Sequence, residues 1–213
     1  MKRLLVIFWL VTISGCALLP QASSRIARPA QLETASFALN GRISINHHGE
    51  RQSAGLHWVH RALPTSRVPP SGLEVKAPLE IKTLAPSDEI LLLTPLGQTA
   101  ARIYRDDKIA TLDNGDKHYQ DVDAEALMKQ VLGWHLPLDG LQRWVLGLPA
   151  DHTPAQIERD GKGRIAVMHQ DGWEMHYTHY ADSRPDSLPT RVQLIHDDLK
   201  ILLLMDEWEW NPQ

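Results

Sequence analysis

The chain has 213 residues, 43% hydrophobic and 23% charged, which suits one ordinary globular domain and excludes both wholesale disorder and a polytopic membrane protein. Its net charge of −4, from 22 basic and 26 acidic side chains without a basic block, argues against a nucleic-acid partner. Fourteen prolines and thirteen glycines foretell many turns.

The first element is a leader. Lys2 and Arg3 precede an apolar run from Leu4 to Ile13, then the small pair Ser14-Gly15, then Cys16, the single cysteine. The run is too short to span a bilayer and has the anatomy of a signal peptide. Ile13-Ser14-Gly15-Cys16 resembles a bacterial lipobox, which implies a cut before Cys16, a diacylated thiol and a third acyl chain on the new amino terminus. Residue 17 is Ala, not Asp, so the lipoprotein sorting rule of Gram-negative bacteria directs the chain to the outer membrane. Residues 1–15 are then the signal peptide and 16–34 the acylated cysteine with a small, polar tether. Eighteen such residues span roughly 20 to 25 Å, which keeps a domain over 35–213 close to the membrane.

Period-two patterning begins at once. Phe37, Leu39, Gly41, Ile43 and Ile45 alternate with polar neighbours, which predicts a half-buried strand. His47-His48-Gly49-Glu50 turns the chain into a second strand with Ala54, Leu56 and Trp58 facing inward. Arg61 to Ser71 holds three prolines and reads as a loop. Leu73, Val75, Ala77, Leu79 and Ile81 then alternate with polar positions up to Lys82, and Pro78 places that strand at an edge. Glu89 to Leu93 is nearly all apolar. After Thr94-Pro95-Leu96-Gly97, strands follow at Thr99 to Tyr104 and Lys108 to Leu112, with a hairpin signal at Asp113-Asn114-Gly115.

At Asp123 the period changes. Ala124, Leu127, Met128, Val131 and Leu132 recur on one helical face, and Asp123 is a ready N-cap. Leu141, Trp144, Val145 and Leu148 repeat the pattern after Pro137, until Gly147 and Pro149 stop it. Strands resume with Ile165, Val167 and His169, with Trp173, Met175 and Tyr177, with Val192 and Leu194, and with Leu199 to Met205, ending near Trp208. About ten strands joined by short turns and two helices predict a mainly β fold. An antiparallel sheet curls around the helices as an incomplete barrel with an apolar interior.

Familiar catalytic signatures do not occur: there is no phosphate-binding loop, nucleophile elbow, H-E-x-x-H pair or C-x-x-C. No enzyme activity, cofactor or metal is therefore expected. His47-His48 lies in a turn, and His176 and His179, three apart on a strand, point to opposite faces. Asp106-Asp107 and Asp197-Asp198 read as turn chemistry. Glu207 and Glu209 close the end of a sheet. Trp58, Trp144, Trp173 and Trp208 fall on inward positions, where an ordinary core and a lipid-binding hollow ask for the same residue types. Leu96, apolar at the third position of a turn, either folds back into the core or protrudes to dip into a bilayer.

Three stretches carry a family likeness: Leu91 to Thr99 (LLLTPLGQT), Leu136-Pro137-Leu138, and Leu141 to Pro149 (LQRWVLGLP). Together with the lipobox, the strands around Trp58 and Gly172-Trp173, and Met205-Asp206-Glu207-Trp208, they make most of the chain after Cys16 resemble the LolB family of outer-membrane lipoproteins. Arg61 to Lys82 is longer and richer in proline than that family's usual connection. The resemblance implies an open barrel similar to that of the periplasmic carrier LolA. From LolA the chain would accept triacylated lipoproteins into a hydrophobic cavity, and it would insert them into the outer membrane without hydrolysis. It implies a membrane-inserting loop at Leu96 with Pro95 and Gly97, in contact with outer-membrane phospholipid. Phe37, Trp58, Leu91, Leu93, Trp144 and Trp173 are assigned to the cavity wall, and the protein is expected to be a monomer facing the periplasm. A binding module for free fatty acids or other small lipids is the alternative.

Overall fold

The computed structural model of the protein describes residues 31–63 and 85–212. The leader, Cys16, most of the tether and the expected strand from Leu73 to Lys82 lie outside the described residues. Among the described residues, eleven strands form one sheet: β1 (Phe37–His47), β2 (Glu50–Arg61), β3 (Ser87–Leu93), β4 (Thr99–Arg105), β5 (Ala110–Asn114), β6 (Lys117–Asp121), β7 (Gln156–Arg159), β8 (Ile165–Gln170), β9 (Trp173–Tyr180), β10 (Pro189–His196) and β11 (Leu199–Trp210). Their order is β6-β5-β4-β3-β2-β1-β11-β10-β9-β8-β7, and every pairing is antiparallel. The first and last long strands therefore pair at the middle of the sheet, while β6 and β7 stay unjoined at its edges. The barrel is open, as the patterning predicted.

The helices occupy the chain between those two edge strands. α1 (Ala124–Leu132) starts where the Asp123 carboxylate accepts from the backbone N–H of Glu125 and Ala126, at 2.9 and 3.1 Å, and ends at Gly133 with φ 82°. It turns Ala124, Leu127 and Met128 against the inner face at β4 to β6. α2 (Leu138–Trp144) follows Pro137 and buries Leu138, Gly140, Leu141 and Trp144.

One strand, β7, goes beyond the sequence expectation, and β6 is the return strand that the Asp113-Asn114-Gly115 hairpin signal foretold. Both are short edge strands with mostly exposed side chains, so neither needs an apolar alternation. The core also begins before residue 35: Leu32, in a single 3₁₀ turn over Leu32–Thr34, is buried. Gly41 marks the closest backbone approach, because a Cβ there would lie 2.0 Å from the Leu204 carbonyl oxygen, beside the bulge in the β1–β11 register.

Candidate functional site

The inner face of the sheet is mainly apolar, with His60, Asp88 and Gln170 as its buried polar side chains. Phe37, Leu39, Ile43 and Ile45 of β1, Leu56 and Trp58 of β2, Ile103 and Leu112 of β4 and β5, Met175 and Tyr177 of β9, and Ile201 and Leu203 of β11 form one cluster with the buried faces of α1 and α2. Of the predicted wall residues, Phe37 is 0% exposed, Trp58 and Trp144 1% and Trp173 4%, so the helices shut this face from water.

Two aromatic groups divide the interior. At one end Phe37 meets Trp58 edge to face at 5.1 Å and Trp208 at 5.2 Å, and Trp208 stacks on Trp210 at 5.3 Å. Trp208, expected inside, is only half-buried, at the end of β11. At the other group Trp144 of α2 lies 6.5 Å from Trp173, which lies 5.0 Å from His196. The Trp144 ring lies flat on its own helix, and Gly140 is what permits it: a Cβ there would be 2.4 Å from the indole.

Two of the predicted residues sit on the other face. Burial along β3 alternates so that Asp88, Ile90 and Leu92 point inward, while Leu91 and Leu93 are half-buried on the outer face. Leu91 and Leu93 therefore do not line the interior, and Ile90 and Leu92 take that place. Because Ile90 to Leu93 is unbroken apolar sequence, its pattern could not choose a face. The choice falls to Asp88. Its buried carboxylate accepts from Trp58 Nε1 at 2.9 Å and Arg105 Nε at 2.9 Å, and it pairs with His60 Nδ1 at 2.8 Å. Burial alone would push the Asp88 carboxyl up, but the hydrogen bond and charge of His60, the Arg105 guanidinium and the Trp58 N–H together hold it below the usual carboxylate range.

Arg105 extends this network to the helices. Its guanidinium donates to the Leu138 carbonyl at 2.8 Å and to Asp139, in the first turn of α2. On the opposite flank Tyr177 donates its hydroxyl hydrogen to the Trp144 carbonyl at 3.0 Å, and Trp144 Nε1 donates to Gln170 Oε1 at 2.8 Å. Asp88, Arg105, Gln170 and Tyr177 are thus the polar ties of the helical roof. None was singled out from sequence, although an aspartate in phase with Ile90 and Leu92 was a legible signal for Asp88.

Leu96 is 87% exposed and does not fold back. In its loop Gly97 N donates to Thr94 O and Thr94 N to Gln98 O, both at 2.8 Å, and Gly97 has φ 78°. That is a hairpin loop with Pro95 at the second turn position and glycine at the left-handed one, leaving Leu96 at the apex with no internal partner. At its base an apolar groove of about 510 Å³ runs over the outer face, lined among others by Leu93, Pro95, Leu202 and Leu204, with Gly55 in its floor and Arg42 beside it.

A sequence profile described as "Outer membrane lipoprotein LolB" matches residues 72–208. The chain belongs to the LolB family. It is 30% identical to the outer-membrane lipoprotein LolB of Chromobacterium violaceum over 212 residues, covering 98% of this chain and 99% of that one. It is 32% identical to the LolB of Nitrosomonas europaea over 187 residues, covering 86% and 77%. Among solved structures, a DUF1329 family protein from Desulfovibrio piger shares the fold, with a TM-score of 0.51, 6% identity, and coverage of 85% of this chain and 88% of that one. The LolB likeness read from LLLTPLGQT and LQRWVLGLP is therefore borne out at the level of family.

Proposed function

We propose that this LolB-family chain is an outer-membrane lipoprotein, anchored through acylated Cys16, whose domain faces the periplasm. As a monomer it receives triacylated lipoproteins from the carrier LolA and releases them into the outer membrane. What carries the reading is the largely apolar inner face, with Phe37, Trp58, Trp144 and Trp173 within it, roofed by two short helices held by a handful of polar ties. Three acyl chains hold on the order of 40 CH₂ groups, and exposing them to water costs about 30 kcal/mol, so they must pass from one apolar hollow to another. The shut interior requires α1 and α2 to move off the sheet as the chains enter. That movement breaks the polar ties made by Arg105, Tyr177 and Trp144 and parts the roof's apolar contact with the sheet.

Direction comes from affinity: tighter binding here than in the carrier, and a lower free energy still in the bilayer. The exposed Leu96, with Pro95 and Gly97 around it and the apolar groove at its base, supports a membrane-contacting tip. The test uses the full-length protein in detergent with loaded carrier. Stoichiometric appearance of the lipoprotein on this chain, followed by its transfer to phospholipid vesicles, is expected. Uptake of free fatty acid with indifference to the loaded carrier would overturn the reading.

A further inference from the structure

The two longest hairpins end side by side. β1 pairs with both β2 and β11, and its register with β11 runs to Asn46 opposite Lys200, so the turn at His48-Gly49 meets the turn at Asp197-Asp198. His48 and Asp197 take the left-handed backbone region, with φ 50° and 51°. The result is a cluster of three ligating side chains: His48 Nδ1 contacts Asp198 Oδ2, His47 Nε2 lies 3.7 Å from Asp198 Oδ1, and the two imidazole rings are 3.9 Å apart between centroids.

From this geometry we propose that His47, His48 and Asp198 form a site for a divalent cation of the zinc, copper(II) or nickel(II) class. One donor atom from each of the three residues lies within 4.8 Å of the other two. Ligands around tetrahedral zinc, at bond lengths of about 2.0 to 2.2 Å, stand roughly 3.3 Å apart, so small side-chain rotations close the set around an ion. Two imidazoles with one carboxylate are borderline donors that favour these metals over magnesium or calcium, which ask for oxygen ligands. The ion takes the place of the hydrogen between His48 and Asp198: a neutral imidazole carries that hydrogen on Nε2 instead, and an imidazolium releases it to water.

Three protein ligands leave a fourth position for water or an incoming donor. The site borders a cleft of about 480 Å³ shared by His47, His48, Glu50, Gln52, Lys129 and Trp134, so that position opens between the hairpin tips and the C-terminal end of α1. The ion would also pin β1–β2 to β10–β11. Among the described residues no other group of three histidine, cysteine or acidic side chains meets this spacing; His118, for example, is paired with Asp113.

Equilibrium dialysis of the full-length protein in detergent against zinc chloride, with elemental analysis, tests the site. One zinc per chain is expected. Affinity should fall at least about tenfold in His48→Ala and in Asp198→Asn, with the β-sheet circular dichroism unchanged and His118→Ala binding as the wild type does. Absence of stoichiometric zinc, zinc retained by both variants, or equal loss in His118→Ala would overturn it. Should either variant lose its sheet signal, His47→Gln gives the same comparison.

Discussion

Arg105 on β4 and Leu138 at the start of α2 are joined by a hydrogen bond of 2.8 Å from guanidinium to backbone carbonyl, and the same guanidinium holds the buried Asp88 at 2.9 Å. One side chain therefore fastens the roof to the sheet. Its charge is kept in place because Asp88 and Asp139 favour it more than burial disfavours it.

Replacing Arg105 with Met removes this fastening while keeping a side chain of similar length. A stability loss of about 2 to 3 kcal/mol is expected, since Asp88 keeps only His60 and Trp58 as partners. Amide exchange should rise selectively over Leu138–Trp144 while β1, β2 and β11 stay protected. Uniform acceleration over the whole domain would show that Arg105 supports the sheet and not the helix.

Glu125, in the first turn of α1, is pushed up to about 7, chiefly by burial and then by Asp139 and Asp123. Its carboxyl ionises less readily in the folded protein than in the unfolded chain, so ionisation opposes folding. The effect is absent below about pH 4.5, grows as pH rises, and levels off above about 7. In thermal melts from about pH 5 to 7, wild type should lose stability relative to Glu125→Gln, with the two curves parallel above that window. Wild type gaining on the variant as pH rises would contradict the assignment.

Leu96→Glu places a charge on a side chain that is 87% exposed, so folding stability should stay within about 0.5 kcal/mol of wild type. Lipoprotein acceptance should persist while release into phospholipid vesicles fails, because a carboxylate at the bilayer boundary is disfavoured. The readout is the fraction of cargo left on the protein after vesicles are added.

Regular alternation made most of the fold legible. β1, β9 and the α1 periodicity gave their faces away, and short turns implied antiparallel neighbours. Alternation failed where it was missing. In Ile90-Leu91-Leu92-Leu93 the face is set by a tertiary contact, Asp88 with Trp58, His60 and Arg105, which no local pattern encodes. The short edges β6 and β7 bury too little to leave an apolar alternation, and only the Asp113-Asn114-Gly115 turn points to β6. His47-His48 and Asp197-Asp198 each read as a plain turn, and only the β1–β11 register, joining residues about 150 apart in sequence, brings them together.

The proposed function turns on cargo acyl chains lodging between the inner face and the two helices. Two apolar regions compete for that role, the interior and the groove on the outer face. Lipoprotein cargo bearing a photoreactive acyl chain, transferred to the full-length protein and irradiated before vesicles are added, separates them by mass spectrometry of the cross-linked peptides. Adducts are expected at Phe37, Trp58, Trp144 and Trp173. Adducts confined to Leu91, Leu93, Leu202 and Leu204 would contradict it.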